Sequence, residues 1–425
     1  MQKVVGNNFK SFNGQITVPA DKSISHRAVI FSSLANGKSV IKNFSDGQDP
    51  HSTLEICKRL GVEITQVDNT ITVISDGKLK AAGNDIYHCG NSGTTMRLMT
   101  GVLAGQDFDS VLMGDESLSK RPMKRIIEPL TLMGAKIQSD ECKAPLKIFG
   151  QKLTGIDYVS ELASAQVKSC VLLAGLFADG VTKFTEPCLS RNHTEIMLKA
   201  MGADISVNDM TTTIKKSELA PIQIEVPGDI SSAAFFIVSA LIVPDSKILI
   251  KNVGLNPTRT GIIDIVEKMG GQIKILDEHE VCGETVGDIE VCYSELKGCE
   301  ISGEIIPRLI DETPVIAVLA TQAKGKTVIK DAQDLRNKES DRISAVVKEL
   351  KKLGADIEET PDGMIINGKT ELSGDAEVET YNDHRLAMSL YVAGLICKKE
   401  ILINDFEWVN ISFPTFENLM EKIKR

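Results

Sequence analysis

Lys22, Ser23, Ser25, His26 and Arg27 crowd into Pro19–Ala28, PADKSISHRA, directly after a strand-like Gln15–Val18. A helix that begins here offers unpaired backbone N–H groups and the positive end of a dipole, a natural anion site. Lys22 adds a mobile point charge, and Arg27 adds a planar fork that grips phosphate or carboxylate. The plain alternative is a capped amphipathic helix, with Ser23 or Ser25 as cap and Ile24, Ala28, Phe31 and Ala35 as its buried stripe. That alternative leaves two cations at a helix end whose dipole repels them, so the pattern favours a small anionic ligand.

Further segments place cations in glycine-, serine- or turn-rich sequence. In GNSGTTMR, Gly90 and Gly93 let backbone approach a ligand, and Thr94 and Thr95 supply hydroxyls. No GKS/T follows, so it is not a Walker loop. GDESLSKRPM sets Lys120 and Arg121 before Pro122. LASAQVKS brings Ser164, Gln166, Lys168 and Ser169 to the start of a helix too apolar to be exposed, where polar groups need partners. SRNHTE adds Ser190 and Arg191, and reads equally well as a capping box. Asp311, in LIDETP, precedes an apolar helix; DLRNKESDR follows with Asp334, Lys338, Glu339, Asp341 and Arg342. As a solvated helix face that run is ordinary. As a site it supplies a base, an acid and two cations. In YNDHRLAM, Asp383, His384 and Arg385 form a cap or a clamp. No single segment decides the matter, but their joint occurrence fits a closed cleft that grips two anionic substrates.

The elements that must position these groups recur along the chain. An amphipathic helix, then Leu or Met, then Gly, then a strand ends five times, at Ile64, Ile137, Ile205, Ile273 and Ile357. Gly61, Gly134, Gly202, Gly270 and Gly354 each suit the left-handed residue that closes a helix. PTFENLMEKIKR reads as a shortened sixth copy. Above this repeat, VPADKSISHRAV near residue 20 matches VPGDISSAAFFI near residue 230. Two halves of three repeats each are expected, with chain crossings near 19–22 and 226–229. Residues 1–20 with 229–425 would form one domain and 21–228 the other, with the active site in the cleft between them.

Composition narrows the function. The 425 residues exceed one ordinary core. A net charge of −10 and a single tryptophan argue against nucleic acid, an anionic membrane or a base-stacking platform. Nine scattered cysteines point to reduced thiols in the cytoplasm, and no spacing of Cys and His suits zinc. The N-terminus lacks the apolar core of a signal peptide, and no apolar run is long enough to span a bilayer.

The chain resembles the 5-enolpyruvylshikimate-3-phosphate synthase family over essentially its whole length. DKSISHR, GNSGTTMR, GDESLSKRPM, SAQVKS, SRNHTE, DETP, NKESDR and NDHRLAM carry the resemblance, in family order and at family spacing. It implies an α/β fold: a two-domain inside-out barrel of six βαβαββ repeats, three per domain. It implies transfer of the enolpyruvyl group of phosphoenolpyruvate to the 5-hydroxyl of shikimate 3-phosphate, with phosphate released through a tetrahedral intermediate. No metal or organic cofactor is implied, and the partners are these two small molecules, acted on by a monomer. By the same resemblance, Lys22 touches both substrates, and Asp311 takes the hydroxyl proton. Glu339 protonates the methylene carbon, with Lys22 assisting. Shikimate 3-phosphate falls to Lys22, Ser23, Arg27, Ser164, Gln166, Ser190, Asp311 and Lys338. Phosphoenolpyruvate falls to Lys22, Gly93, Arg121, Gln166, Arg342 and Arg385.

Some positions depart from relatives. Asp334 stands where some have Asn, Ala165 replaces the second serine of a Ser-Ser-Gln run, and Ile411 stands where some have lysine before Ser412-Phe413-Pro414. Gly93 leaves room for glyphosate, which occupies the phosphoenolpyruvate site; Leu98 replaces a proline found in many sensitive members. Two rivals stand beside this reading: the sister transferase acting on UDP-N-acetylglucosamine, and a non-catalytic anion binder. The sister family usually has a cysteine in the loop matching Gly114–Met123, and this chain has none there.

Overall fold

The structure, a computed structural model, describes residues 1–81, 83 and 86–425. Each amphipathic helix of the repeat ends as its glycine predicts. Gly61, Gly134, Gly202, Gly270 and Gly354 have φ of +83°, +94°, +85°, +84° and +93°. The next residue's N–H then reaches back into the last turn: Val62 to the Cys57 oxygen, Ala135 to Leu130, Ala203 to Leu198, Gly271 to Val266 and Ala355 to Leu350, at 2.8–3.2 Å. This is the Schellman closure, which satisfies carbonyls that the helix leaves open and turns the chain into the following strand.

One repeat shows the build. Strand Ile86–His88 runs parallel to Ser110–Met113, which pairs antiparallel with Lys143–Phe149, itself antiparallel to Lys136–Asp140. Helices Gly93–Ala104 and Lys124–Leu132 make the two crossovers, giving βαβαββ. The described residues form six small sheets, five of four strands and one of three. The architecture is mixed α/β.

The chain folds as two units. The first holds Met1–Pro19, Pro227–His279 and Thr285–Arg425; the second holds Ala20–Val226 with Glu280–Glu284. The hairpin tip Glu280–Glu284 therefore departs from the expected 229–425 span. Its buried Glu284 meets His193 Nδ1 at 2.7 Å, a hydrogen bond 91 residues apart in sequence and invisible to local pattern. Each crossing is also a strand exchange. Asn13–Thr17 pairs parallel with Lys247–Gly254 in the first unit, and Gln223–Glu225 pairs parallel with Asn36–Lys42 in the second.

Each unit has its own apolar core. In the second, helices α1 (Lys22–Leu34), α2 (Gln48–Arg59) and α3 (Gly93–Ala104) gather beside Ala165–Gly175. The approach of α3 to Ala165–Gly175 is so close that a Cβ on Gly101 would lie 2.2 Å from the Cys170 oxygen. In the first, the nearly all-apolar helices Ile230–Ile242, Thr313–Thr321 and His384–Gly394 pack on one another. Phe236, Phe413 and Phe416 add a ring cluster there. The ionic segments sit at the starts of these buried helices, so rigid elements hold them.

Candidate active site

In the second unit the cap of α1 is Asp21, not Ser23 or Ser25. Its carboxylate accepts from Ile24 N at 2.8 Å. A carboxylate at this position offsets the dipole and leaves both serine side chains out of the cap. Asp229 caps Ile230–Ile242 in the same way, accepting from Ser231 N at 2.9 Å, as the matched Val-Pro-x-Asp sequences imply. Lys22, first residue of α1, reaches Asp49 in the first turn of α2 at 3.2 Å. Arg27 is buried. Its guanidinium donates to Thr194 Oγ1 at 2.7 Å, Ser169 Oγ at 2.8 Å and the Ser23 carbonyl at 2.9 Å. Burial lowers its pKa to about 10, against Glu195 and Asp21, which raise it. Arg27 thus braces the first turn of α1 from inside.

Ser92 caps α3, and Gly93 and Thr94 open it. Arg97, one turn on, folds back toward Gly93 and donates to Gln166 Oε1 at 2.5 Å, while Gln166 Nε2 donates to Thr94 Oγ1 at 2.9 Å. A guanidinium only donates, so this contact fixes Gln166 with its amide nitrogen toward Thr94. Arg121 is buried and donates to Asn91 Oδ1 at 2.7 Å; Asn91 in turn donates to Asp115 at 2.8 Å. Its neighbour Lys120 is solvated and pairs only with exposed Glu116 among the described contacts.

Ser164 sits at the N-cap of Ala165–Gly175 without making a side-chain cap bond. Lys168 is fully buried between Glu186 (2.6 Å) and Glu195 (2.8 Å), a closed internal triad rather than a ligand contact. Ser190 donates its hydroxyl to Glu186. The capping-box reading of SRNHTE fails: helix His193–Ala200 begins at Asn192 with no side-chain cap.

In the first unit, Arg342 is the centre of a four-residue ionic node. It is 1% exposed. Its Nε donates to Asp383 Oδ2 at 2.8 Å, Nη1 to Asp311 at 3.2 Å and Nη2 to Glu339 at 2.6 Å. Burial opposes its charge, but Asp383, Glu339 and Asp311 together hold the guanidinium above the ordinary arginine range. Asp383 is 0% exposed; burial opposes its charge too, and Arg342 overcomes this and holds its carboxyl below the usual range. The same carboxylate caps His384–Gly394 through Arg385 N at 2.9 Å and accepts from Ser340 at 3.0 Å. Arg385 Nη1 donates to the Asp311 carbonyl at 3.3 Å. Lys338 lies 4.0 Å from Asp311 and 3.4 Å from Asp334. DLRNKESDR is not one continuous helix face: Asp334–Asn337 belong to a short 3-10 helix, Gln333–Asn337, and its last two residues are the cap, Asp341, and first residue, Arg342, of helix Arg342–Lys352.

The structure thus groups Lys22, Ser23, Arg27, Gly93, Arg121, Ser164, Gln166 and Ser190 in one unit, and Asp311, Lys338, Glu339, Arg342 and Arg385 in the other. Sequence reasoning missed Asp49 as the partner of Lys22, Arg97 as the brace of Gln166, and Asp383 as the counter-charge of Arg342. Arg97 had a signal: an arginine four residues after a helix-starting glycine can fold back over it.

Comparison with known proteins identifies the family. The family model for EPSP synthase (3-phosphoshikimate 1-carboxyvinyltransferase) matches residues 7–420. The chain is similar to the 3-phosphoshikimate 1-carboxyvinyltransferase of Thermodesulfovibrio yellowstonii, 54% identical over 98% of both chains. It is also similar to that of Geotalea uraniireducens, 51% identical over 97% of both. The solved EPSP synthase of Acinetobacter baumannii superposes with a TM-score of 0.89 at 42% identity, covering 100% of this chain and 98% of that one. By the family model over nearly all its residues and by relatives about half identical to it, the chain belongs to the EPSP synthase family.

Proposed function

We propose that this chain transfers the enolpyruvyl group of phosphoenolpyruvate to the 5-hydroxyl of shikimate 3-phosphate and releases phosphate, a step of aromatic amino acid biosynthesis. The observation that carries the division of labour is the Arg342 node. One rigid guanidinium holds a carboxylate on each terminal nitrogen, Asp311 on one and Glu339 on the other. Asp383 locks the third edge. Two carboxylates converge at a fixed spacing, as paired acid–base chemistry requires.

Asp311 takes the proton of the 5-hydroxyl as that oxygen bonds to C2 of phosphoenolpyruvate. Glu339, with Lys22 assisting, delivers a proton to C3, giving a tetrahedral intermediate. Loss of a C3 proton then restores the double bond as the C–O bond to phosphate breaks. Lys22, Gly93, Arg121, Gln166, Arg342 and Arg385 hold phosphoenolpyruvate; Lys22, Ser23, Arg27, Ser164, Gln166, Ser190, Asp311 and Lys338 hold shikimate 3-phosphate. The Lys22 and Arg121 charges suit the anions of both ligands. In this reading the chain acts as a cytoplasmic monomer on small molecules alone.

A phosphate-release assay tests it. Release should require both substrates and stop when UDP-N-acetylglucosamine replaces shikimate 3-phosphate. Release with the nucleotide sugar instead would assign the chain to the sister activity.

Gly93 supplies a second check. A Cβ there would lie 2.8 Å from Arg97 Nη1 and 3.5 Å from Arg121 Nη1. Leu98 is buried within α3, and the atoms nearest that Cβ belong to Arg97 and Arg121. Gly93→Ala should therefore push the Arg97 head off Gln166 and raise KM for phosphoenolpyruvate about tenfold, the cost of one charge-assisted contact. Glyphosate should inhibit the wild type and lose potency against the variant. A wild type that glyphosate leaves untouched contradicts the expectation drawn from glycine at position 93.

A further inference from the structure

Beneath the first turns of α1, α2 and α3 runs a chain of buried hydroxyls that none of the roles above uses. His26 Nδ1 lies 2.7 Å from Thr53 Oγ1, Thr53 Oγ1 lies 2.7 Å from Thr95 Oγ1, and Thr95 Oγ1 donates to Ser92 Oγ at 2.7 Å. All four residues are fully buried, so bulk water cannot replace a lost partner. The chain ends where it matters. Ser92 is the cap of α3, also accepting from Thr95 N at 3.1 Å, and Gly93 and Thr94 follow it. Thr95 also touches the backbone oxygen of Asp49 at 3.4 Å, whose carboxylate holds Lys22.

The donors in this chain point one way. Thr95 gives its one proton to Ser92 or to the Asp49 carbonyl, so Thr53 gives its own to Thr95, and His26 donates from Nδ1 to Thr53. Burial, with Lys22 and Arg27 adding to it, keeps His26 well below its ordinary pKa, so the ring is neutral and this order places its one proton on Nδ1. Valine would fill the space of either threonine equally well. Packing alone does not account for hydroxyls at both positions.

We propose that His26, Thr53 and Thr95 are positioning residues that lock the Ser92 cap, and with it the Gly93–Thr94 turn, in the pose that receives phosphoenolpyruvate, a role that rests on the enolpyruvyl-transfer reading. The bonds end at Ser92 on α3, Ser164 and Ser190 lie outside them, and Thr95 meets the backbone of Asp49, not the carboxylate that holds Lys22, so the loss of the Thr95 hydroxyl should fall mainly on one substrate. Thr95→Val removes a single hydroxyl at nearly constant volume. It should raise KM for phosphoenolpyruvate about tenfold, with kcat and KM for shikimate 3-phosphate within about twofold. Thr53→Val should show the same asymmetry, and Thr95→Ser should bring the KM back. Thermal unfolding of each variant confirms that the compared proteins are folded. An unchanged KM for phosphoenolpyruvate in Thr95→Val, or an equal rise for both substrates that Thr95→Ser leaves in place, overturns the proposal. Wild-type turnover in the same assay tests the parent reading separately. Were it absent, calorimetric binding of phosphoenolpyruvate to wild type and Thr95→Val would still decide the role of the chain, equal affinities counting against it.

Discussion

Asp311→Asn is expected to lower kcat by about 10³-fold, the usual worth of a positioned general base, while changing both KM values far less. The substitution keeps the shape of the side chain and removes only its charge and basicity. Asp311 is partly open to solvent, at 15% exposure, yet tied to Arg342 Nη1 and near Lys338. That combination suits a group that must meet a substrate hydroxyl and still be aimed. An amide can still lie against the guanidinium through its oxygen, so the node should survive. Steady-state kinetics with both substrates would measure the split. A variant with near-normal kcat, or one that loses binding instead of turnover, would remove Asp311 from the role of base.

Arg342→Met should have the largest effect on stability. It leaves Asp383, Asp311 and Glu339 without their shared cation, and Asp383 is wholly buried. Removing one partner of a buried ion pair costs about 3–5 kcal/mol, because the stranded charge keeps its desolvation penalty. Trp408, the single tryptophan, lies in the same unit and reports its unfolding by fluorescence. The urea midpoint should drop accordingly, and turnover should vanish even where the variant is folded. Arg342→Lys should fall between, since an ammonium keeps the charge without the planar fork.

The pH dependence of that loss has a definite sign. In the wild type Asp383 titrates below its unfolded value of about 3.9, so its stabilisation is complete above that pH and drains as pH falls toward the folded value. Without Arg342, burial and the neighbouring Glu339 raise the Asp383 pKa against His384. The variant then gains, relative to wild type, as the carboxyl protonates. The stability gap between the two proteins should therefore narrow as pH is lowered through about 4. A gap that stays constant to about pH 3 would mean that Asp383 does not draw its charge from Arg342.

The repeats were legible because their determinants are local. A helix stripe at three and four residues, a Leu or Met and a glycine are enough to specify the turn, since the closing bond spans only about six residues. Most candidate site residues were legible for a related reason: cations at helix starts conflict with the dipole, and a conflict in local sequence marks function. Asp21 shows the limit. Ser23 and Ser25 were equally good caps by type, and only the path of the chain after Pro19 decided that the carboxylate takes that place.

By itself, then, the sequence determined the repeat, its helix stops and the residue types available for anion binding, because each depends on neighbours a few positions apart. The tertiary structure alone decided which charges meet. Arg342 and Asp383 are 41 residues apart and Arg342 and Asp311 are 31 apart, yet they share one buried node. Lys168 and Arg121 looked alike as cations near helix starts. Packing closed Lys168 between Glu186 and Glu195 and set Arg121 against Asn91 near Gly93. Pairing at such separations depends on how buried helices stack, and burial sets both the cost of a charge and the strength of its partner.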